Sequence, residues 1–423
     1  QEEQFKTEAG FKDALIGTYI SMASPELYAK DMTWNMVDLF SQQYATLPTL
    51  AAYNELQRFQ YKSSRSMTKV DALWNKSYNV IANINNALGF IEKNKAVLHP
   101  ISHDIIKGEL IGLRAFIHFD LMRLYGYGNI ANRVDVLSKP AIPYVTEYTK
   151  DLTPQLTYTQ TFDLMAKDID LALELLKADP IYPNASRPAG YYDAVNRDGF
   201  FSQREQRMNY YAVKALQARM LLWQGGADKL NAARLAAEEV INSSPAKLIV
   251  SESYPVGSEP TLYPEHLFSL NITAFADIVE RYLNAESSTN YDALFLTTAA
   301  ASEIYETNNV NIGVAAVRYN TLLESQARGL VSKKLRQRGS TRTNIMPLIK
   351  LPEMYFIAAE HYVNTGELNT AIDLLNRVRS SRGIIHQIPE GANQDEVKLE
   401  LFKDHRKEFI SEGQLFFFYK RLG

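Results

Sequence analysis

The sequence predicts a mainly α-helical fold in which helical hairpins support an irregular, loop-rich region with a few short strands. Three observations predict it. Apolar residues recur at three- and four-residue steps through most of the first 178 residues, again over 209–242, and again after Pro347, which is the stripe of helices packed on neighbours. Small residues occupy the close-packing positions of two helix pairs. Between these pairs, 179–205 and 245–345 lose the periodicity and gather Pro, Gly, Ser, Thr, Asn and isolated aromatics, the composition of turns and loops.

The first helices are expected over Ala9–Met22, Asp71–Asn94 and Ser102–Tyr125. In the third, Leu110, Leu113, Ile117, Leu121 and Leu124 mark one face, and Gly126 ends it as a C-cap glycine. Ala141–Val145 reads as extended because Pro143 forbids a helix interior. The stripe Phe162, Met165, Ile169, Leu173 and Leu176 predicts a helix over Thr161–Lys177, with Thr159 or Thr161 as its cap. A long loop follows, dense in proline and closing on Tyr191, Tyr192, Phe200 and Phe201. Asn209–Gln224 and Asn231–Asn242 form a hairpin around Gly225-Gly226, and Pro245–Asn344 is expected to hold short strands and long loops. The last helices are Glu353–Asn364, Asn369–Ser380 and Gln394–Glu412. Over Tyr355–Val378 the positions Tyr355, Ala358, Ala359, Tyr362, Gly366, Ala371, Leu375 and Val378 follow the large–small alternation of a tetratricopeptide hairpin.

Composition narrows the function. With 45 basic and 48 acidic residues the formal charge is −3, which argues against a dedicated nucleic-acid binder, a class that usually carries a strongly basic face, and leaves room for local exceptions. Having no cysteine excludes a thiol nucleophile, an iron–sulfur cluster and a thiolate zinc site. No apolar run reaches the ~18–20 residues of a membrane span, and the polar start Gln1-Glu2-Glu3-Gln4 is not a signal peptide. Nor does the chain contain a Walker loop, a dinucleotide-binding glycine pattern, a Gly-x-Ser-x-Gly elbow or an EF-hand loop. No catalytic residue, cofactor or metal ligand is assigned. His99 and His103 stand four apart, but Pro100 separates them and no zincin motif surrounds them, so solvated or capping histidines are the default reading. His118 and His361 lie inside helical stripes and read as packed or hydrogen-bonded.

Two features point to binding. The run Lys333, Lys334, Arg336, Arg338, Arg342 has no acid within 329–342 and suits either a solvated loop or an anionic partner. The loop aromatics suit sugars, whose C–H faces stack on flat rings while their hydroxyls need amide, carboxylate or guanidinium partners alongside. Segments supplying both are Arg58, Phe59 and Tyr61; Tyr191, Tyr192 and Asp193; and Tyr291, Asp292, Tyr305 and Asn308. Trp34, between Thr33 and Asn35, suits either a stacking role or a core and joins the candidates, whereas Trp74 reads as core.

Several blocks carry a family resemblance. Gly108–Gly126, with Ile142-Pro143-Tyr144-Val145 after it, then Met346–Glu360, Ala371–Arg379, Asp404–Gln414 and Lys420-Arg421 resemble, in order and spacing, the signature of the SusD/RagB family. The chain departs from the family pattern at Gln414–Tyr419 and at Tyr127–Ala131. The resemblance implies a single domain over 1–423. Its body of about four tetratricopeptide-like units would span roughly 9–178, 206–243 and 347–420, with an irregular ligand-binding region at 179–205 and 245–345. It further implies an outer-membrane, surface-facing lipoprotein of Bacteroidetes that captures nutrients, mostly glycans, without catalysis. Its partner would be a SusC-like TonB-dependent transporter, with no nucleic acid. The membrane would be reached only through an N-terminal lipid anchor, whose cysteine this chain lacks. A peptide-binding member of the family and an all-helical glycoside hydrolase or lyase are the alternatives. Arg114 and Glu412 lie in two of the matching blocks, where a buried Arg–carboxylate pair between helices would fix their docking.

Overall fold

The computed structural model describes residues 2–183, 187–188 and 190–423. In chain order the helices are α1 (Glu8–Met22), the short α2 (Met36–Leu39) and α3 (Asn54–Gln57), α4 (Ser64–Ile91), α5 (Pro100–Tyr125), α6 (Tyr158–Leu175), α7 (Tyr210–Gln224) and α8 (Ala227–Ser243). After these come α9 (Phe275–Tyr282), α10 (Thr298–Tyr305), the single turn α11 (Val317–Asn320), α12 (Leu351–Thr365), α13 (Leu368–Ser381), α14 (Gln394–Phe409) and α15 (Gln414–Leu422). Among the described residues six short strands form three antiparallel pairs: β1 (Pro140–Pro143) with β2 (Gln155–Thr157), β3 (His266–Asn271) with β6 (Ile345–Lys350), and β4 (Leu323–Gln326) with β5 (Gly329–Ser332). The fold is therefore mainly α. The chain divides into two compact units, the first comprising 1–22, 74–245 and 423, the second 23–73 and 246–422.

In the first unit α5 is buried on nearly every side, from Ile101 to Arg123, so it is the central helix against which α6 packs. Glycines let backbones approach: a side chain at Gly112 would lie 2.9 Å from atoms of Met208 and Val213. Gly126 does end α5, but not in the left-handed conformation expected of it, since its φ is −87°; glycine is needed there because a Cβ would collide with the Tyr158 hydroxyl. The cap of α6 is Thr157 rather than Thr159 or Thr161: its side chain accepts from Gln160 N while the Gln160 side chain accepts from Thr157 N, a capping box. Arg114 on α5 makes a bidentate pair with Asp168 on α6 (2.8 and 2.7 Å) and donates to Asn85 on α4 (2.9 Å). The carboxylate of Arg114 is thus Asp168 rather than Glu412. His99 caps α5, accepting from Ile101 N at 3.3 Å, and His103 bonds Asp104 and Glu92. Trp74 packs on Tyr78 and Tyr125.

In the second unit α12 and α13 form the expected hairpin, closed by Gly366 at φ 85°. Before it, Pro347 lies not in a helix but in β6, a fully buried strand paired with β3. The region expected to be strands and loops also contains the helices α9 and α10, the latter capped by Thr297. The expected helix Gln394–Glu412 stops at Phe409, because Ser411 (φ 65°) and Gly413 (φ 74°) turn left-handed before α15 begins. A buried ionic network lies beneath. Arg382 bridges Glu265 (2.6 Å) and Glu408 (2.8 Å), and Lys350 bridges Glu408 (3.1 Å) and Glu412 (2.8 Å). Desolvation opposes each charge, but the surrounding guanidinium and ammonium groups hold the Glu408 carboxyl well below the usual carboxylate range. Removing one partner from such a network leaves an uncompensated buried charge.

Candidate functional site

Within the second unit two loop segments are stitched together by polar side chains. Gln57 donates to Ala45 O (3.2 Å) and accepts from Leu47 N (2.8 Å), while Gln42 donates to Gln57 O (2.7 Å). The Asp292 carboxylate accepts from Ala52 N at 2.6 Å, and Phe295 O accepts from Ala45 N at 2.9 Å. These bonds tie the loop 45–57, which leads into Arg58, Phe59 and Tyr61, to Asp292 and Phe295.

Aromatic rings project from it. Phe59 and Tyr61 are 44% and 46% exposed, large values for side chains that normally seek burial. Their ring centroids are 6.1 Å apart, and both rest on the buried ring of Phe40, which touches Phe416 in turn (5.2 Å). The Lys420 ammonium lies 5.7 Å from the Phe416 ring. Phe59 adopts φ 57°, a left-handed conformation costing a bulky residue on the order of 1–2 kcal/mol. Arg58 and Gln60 are exposed beside these rings.

Alongside lies a second aromatic group with buried charge. Tyr53 donates to the Asp31 carboxylate at 2.9 Å, and Lys30 bonds the same Tyr53 hydroxyl. Lys69 and Lys30 stand 4.8 and 4.9 Å from the Tyr53 ring, and Lys30 is 5.1 Å from that of Tyr282; these are cation–π distances. Burial pushes the Tyr53 hydroxyl and the Asp31 carboxyl up, the ammonium of Lys30 opposing the shift at Asp31. Tyr291 is exposed beside Asp292.

Other candidates are placed differently. Trp34 is 0% exposed, donates its indole N–H to Ala29 O (2.9 Å) and meets Tyr282 edge-on; it is core and presents no face to a ligand. Tyr305 is likewise buried, against Tyr319. The one-dimensional pattern around each, polar neighbours in a loop-like setting, does not report how the chain folds back over it. Asn308 is exposed in the turn after α10. The run 333–342 is largely neutralised: Lys334 is buried on Glu412 (3.0 Å), Arg336 pairs with Glu280 and Glu324, and Arg338 with Asp277.

In the first unit Tyr191, Tyr192 and Asp193 line an open hollow of 310 Å³ with Tyr182 and Arg187. The Tyr192 hydroxyl is used to hold the loop, donating to Ala178 O and accepting from Arg187, and Arg187 covers both tyrosine rings at 5.2 and 5.6 Å. Nearby, Arg204 joins Glu109 on α5 to Asp179, fixing where this loop begins and ends.

A family profile described as "Starch-binding associating with outer membrane" matches residues 2–194, and one described as "SusD family" matches residues 280–422. The fold is similar to that of a SusD superfamily protein from Bacteroides thetaiotaomicron VPI-5482, with a TM-score of 0.75 and 21% identity over 99% of this chain and 89% of that one. A SusD-like carbohydrate binding protein from Bacteroides vulgatus ATCC 8482 gives 0.75 and 17% over 98% and 83%. Surface glycan-binding protein A from Bacteroides thetaiotaomicron gives 0.70 and 13% over 99% and 90%. At these identities the likeness shows the fold. No curated protein matches.

Proposed function

We propose, because the chain belongs to the SusD/RagB family, that it is a surface glycan-binding protein which captures oligosaccharide and delivers it to a SusC-like TonB-dependent outer-membrane transporter, without cleaving it. The family is outer-membrane associated. No helix among the described residues is long and apolar enough to cross a membrane, and attachment through an N-terminal lipid is part of the proposal. So is the reading of both compact units as one functional domain.

The observation that carries the proposal is the pair of exposed rings, Phe59 and Tyr61, braced by Phe40 and Phe416 and flanked by Arg58 and Gln60. A sugar ring would stack by its C–H face on these rings while its hydroxyls meet Arg58 and Gln60 at the margin. Tyr291 would extend the contact. A wet, stacking-based site of this kind gains little per contact, so affinity for one oligosaccharide is modest and the transporter supplies capture efficiency.

Isothermal titration of the purified protein against soluble polysaccharides, host glycans and peptides, with reducing-end assays on the same mixtures, tests this. Heat on glycan addition without new reducing ends is expected. New reducing ends make the protein an enzyme, and heat with peptides alone moves the ligand class.

A further inference from the structure

Four cations, Arg58, Lys62, Arg65 and Lys69, fall within twelve residues, and no acid stands between Glu55 and Asp71. This segment contains Phe59 and Tyr61, so positive charge and exposed aromatic surface alternate along it. Arg58, Lys62 and Arg65 are exposed and Lys69 is half-buried.

The pairing of these groups sets them apart from the other basic run. Among the described residues none of the four has a carboxylate at ion-pair distance: Arg65 donates to Ala51 O (3.2 Å), and Lys69 stands over the Tyr53 ring, where its charge also acts on the Asp31 carboxyl. Lys334, Arg336 and Arg338, by contrast, each have an acidic partner. Three acids of the neighbouring loops are already engaged. Glu55 accepts from the Ser63 hydroxyl (2.6 Å), Asp292 from Ala52 N (2.6 Å), and Asp31 from Tyr53 while paired with Lys30 (3.3 Å). Arg328, which covers the Phe295 ring at 4.8 Å, is held by the Asn290 and Ser287 carbonyl oxygens and, among the described residues, also has no carboxylate at ion-pair distance. Arg65 and Lys69 are one helical turn apart at the start of α4, where the helix dipole adds to their field.

Cations without a carboxylate at ion-pair distance, of which the exposed Arg58 and Lys62 flank the stacking rings, recognise a ligand that is itself negatively charged. We infer that the glycan taken by this face is acidic, bearing uronate carboxylates or sulfate esters at intervals along the chain, with Phe59 and Tyr61 stacking its sugar rings and Arg58, Lys62, Arg65 and Lys69 meeting its charges. The inference rests on the glycan-binding reading and specifies its ligand class.

Matched pairs of polymers separate the two. Dextran against dextran sulfate, and methyl-esterified against de-esterified polygalacturonate, are run in affinity gels and titrations at low and at physiological salt, with single-stranded DNA as a further polyanion. The acidic member of at least one pair is expected to bind about tenfold or more tightly than its neutral counterpart and to weaken as salt screens the contacts. The variant Arg58→Gln/Lys62→Gln should reduce that preference at unchanged melting temperature, adding Arg65→Gln/Lys69→Gln should remove it, and Phe59→Ala/Tyr61→Ala should weaken binding to both members. Equal or stronger binding of the neutral polymers overturns the inference and leaves glycan capture standing. Binding of DNA as tight as of the acidic glycans, insensitive to Phe59→Ala/Tyr61→Ala, also overturns it, because charge alone would then be recognised. Failure of every polysaccharide to bind overturns the glycan reading itself.

Discussion

The Asp38 carboxylate accepts a hydrogen bond from the Ser411 backbone N–H at 2.8 Å, and with it the loop that carries Phe40 is tied to the break that precedes Phe416. The same carboxylate accepts from the Tyr44 hydroxyl (2.6 Å) and from Gly413 N (3.3 Å). The two rings that brace the exposed platform therefore stand on segments held together by one buried acid.

That acid gives a pH dependence. Burial pushes the Asp38 carboxyl up to about 7, against the opposing effect of its three donors. A carboxyl whose pKa is higher folded than unfolded binds an extra proton in the native state. Its contribution to stability is therefore fully present below about pH 4 and declines as pH rises toward 7. Asp38→Asn keeps an acceptor and does not ionise, so urea midpoints of the variant relative to the wild type should climb between pH 4 and 7 and level off above. A constant gap across that range would show that Asp38 does not titrate there. Asp38→Ala should cost about 1–3 kcal/mol for each buried donor left without an acceptor.

His118 has the opposite slope. Its Nδ1–H donates to Arg114 O (2.9 Å) and its Nε2 accepts from Val145 N (3.0 Å), so the neutral tautomer is fixed, and burial lowers its pKa to about 3. Unfolded, the imidazole takes up a proton near pH 6.5, so stability falls as pH drops from there toward 3. His118→Gln should be less stable than the wild type at pH 7 by about 1–2 kcal/mol, with the difference shrinking at pH 4.5. A gap that widens on acidification contradicts this assignment.

The Arg114–Asp168 pair joins α5 to α6 with little solvent access. Arg114→Ala or Asp168→Ala should each destabilise by about 3–5 kcal/mol, since each strands the partner's charge, while the double variant should lose markedly less than the sum. A double-mutant cycle in chemical denaturation reads the coupling directly, and additive losses would count against the pair.

Trp34 and the exposed rings should separate stability from binding. Trp34→Ala should cost about 3–5 kcal/mol and Trp34→Phe should leave glycan affinity within about twofold, because the indole is covered. Phe59→Ala and Tyr61→Ala should change the melting temperature little and weaken binding about tenfold or more, the loss of a stacking contact. Intact affinity after both platform substitutions would move the site elsewhere.

The stripes of α5 and α6 and the hairpin closed at Gly366 were legible in the sequence because helix periodicity and a left-handed glycine are local properties. The short α9 and α10 were not, since eight residues hold barely two turns of pattern. Phe59 and Tyr61 were identified from composition, but so were Trp34 and Tyr305, and exposure separates them only once the chain folds over itself. Charge was hardest to read. Arg336 is neutralised by Glu324 and Glu280, 12 and 56 residues away, and Lys334 by Glu412, 78 residues away, so counting within 329–342 drew attention to the paired run and passed over the one at Arg58–Lys69.

The left-handed backbone at Phe59 carries an implication for engineering this protein. Glycine adopts φ 57° without steric cost, so Phe59→Gly should relax the turn yet remove one of the two rings a sugar would stack on. A selection for heat resistance alone would drift toward that loss, whereas a selection for ligand retention would keep the phenylalanine in place despite its strained geometry.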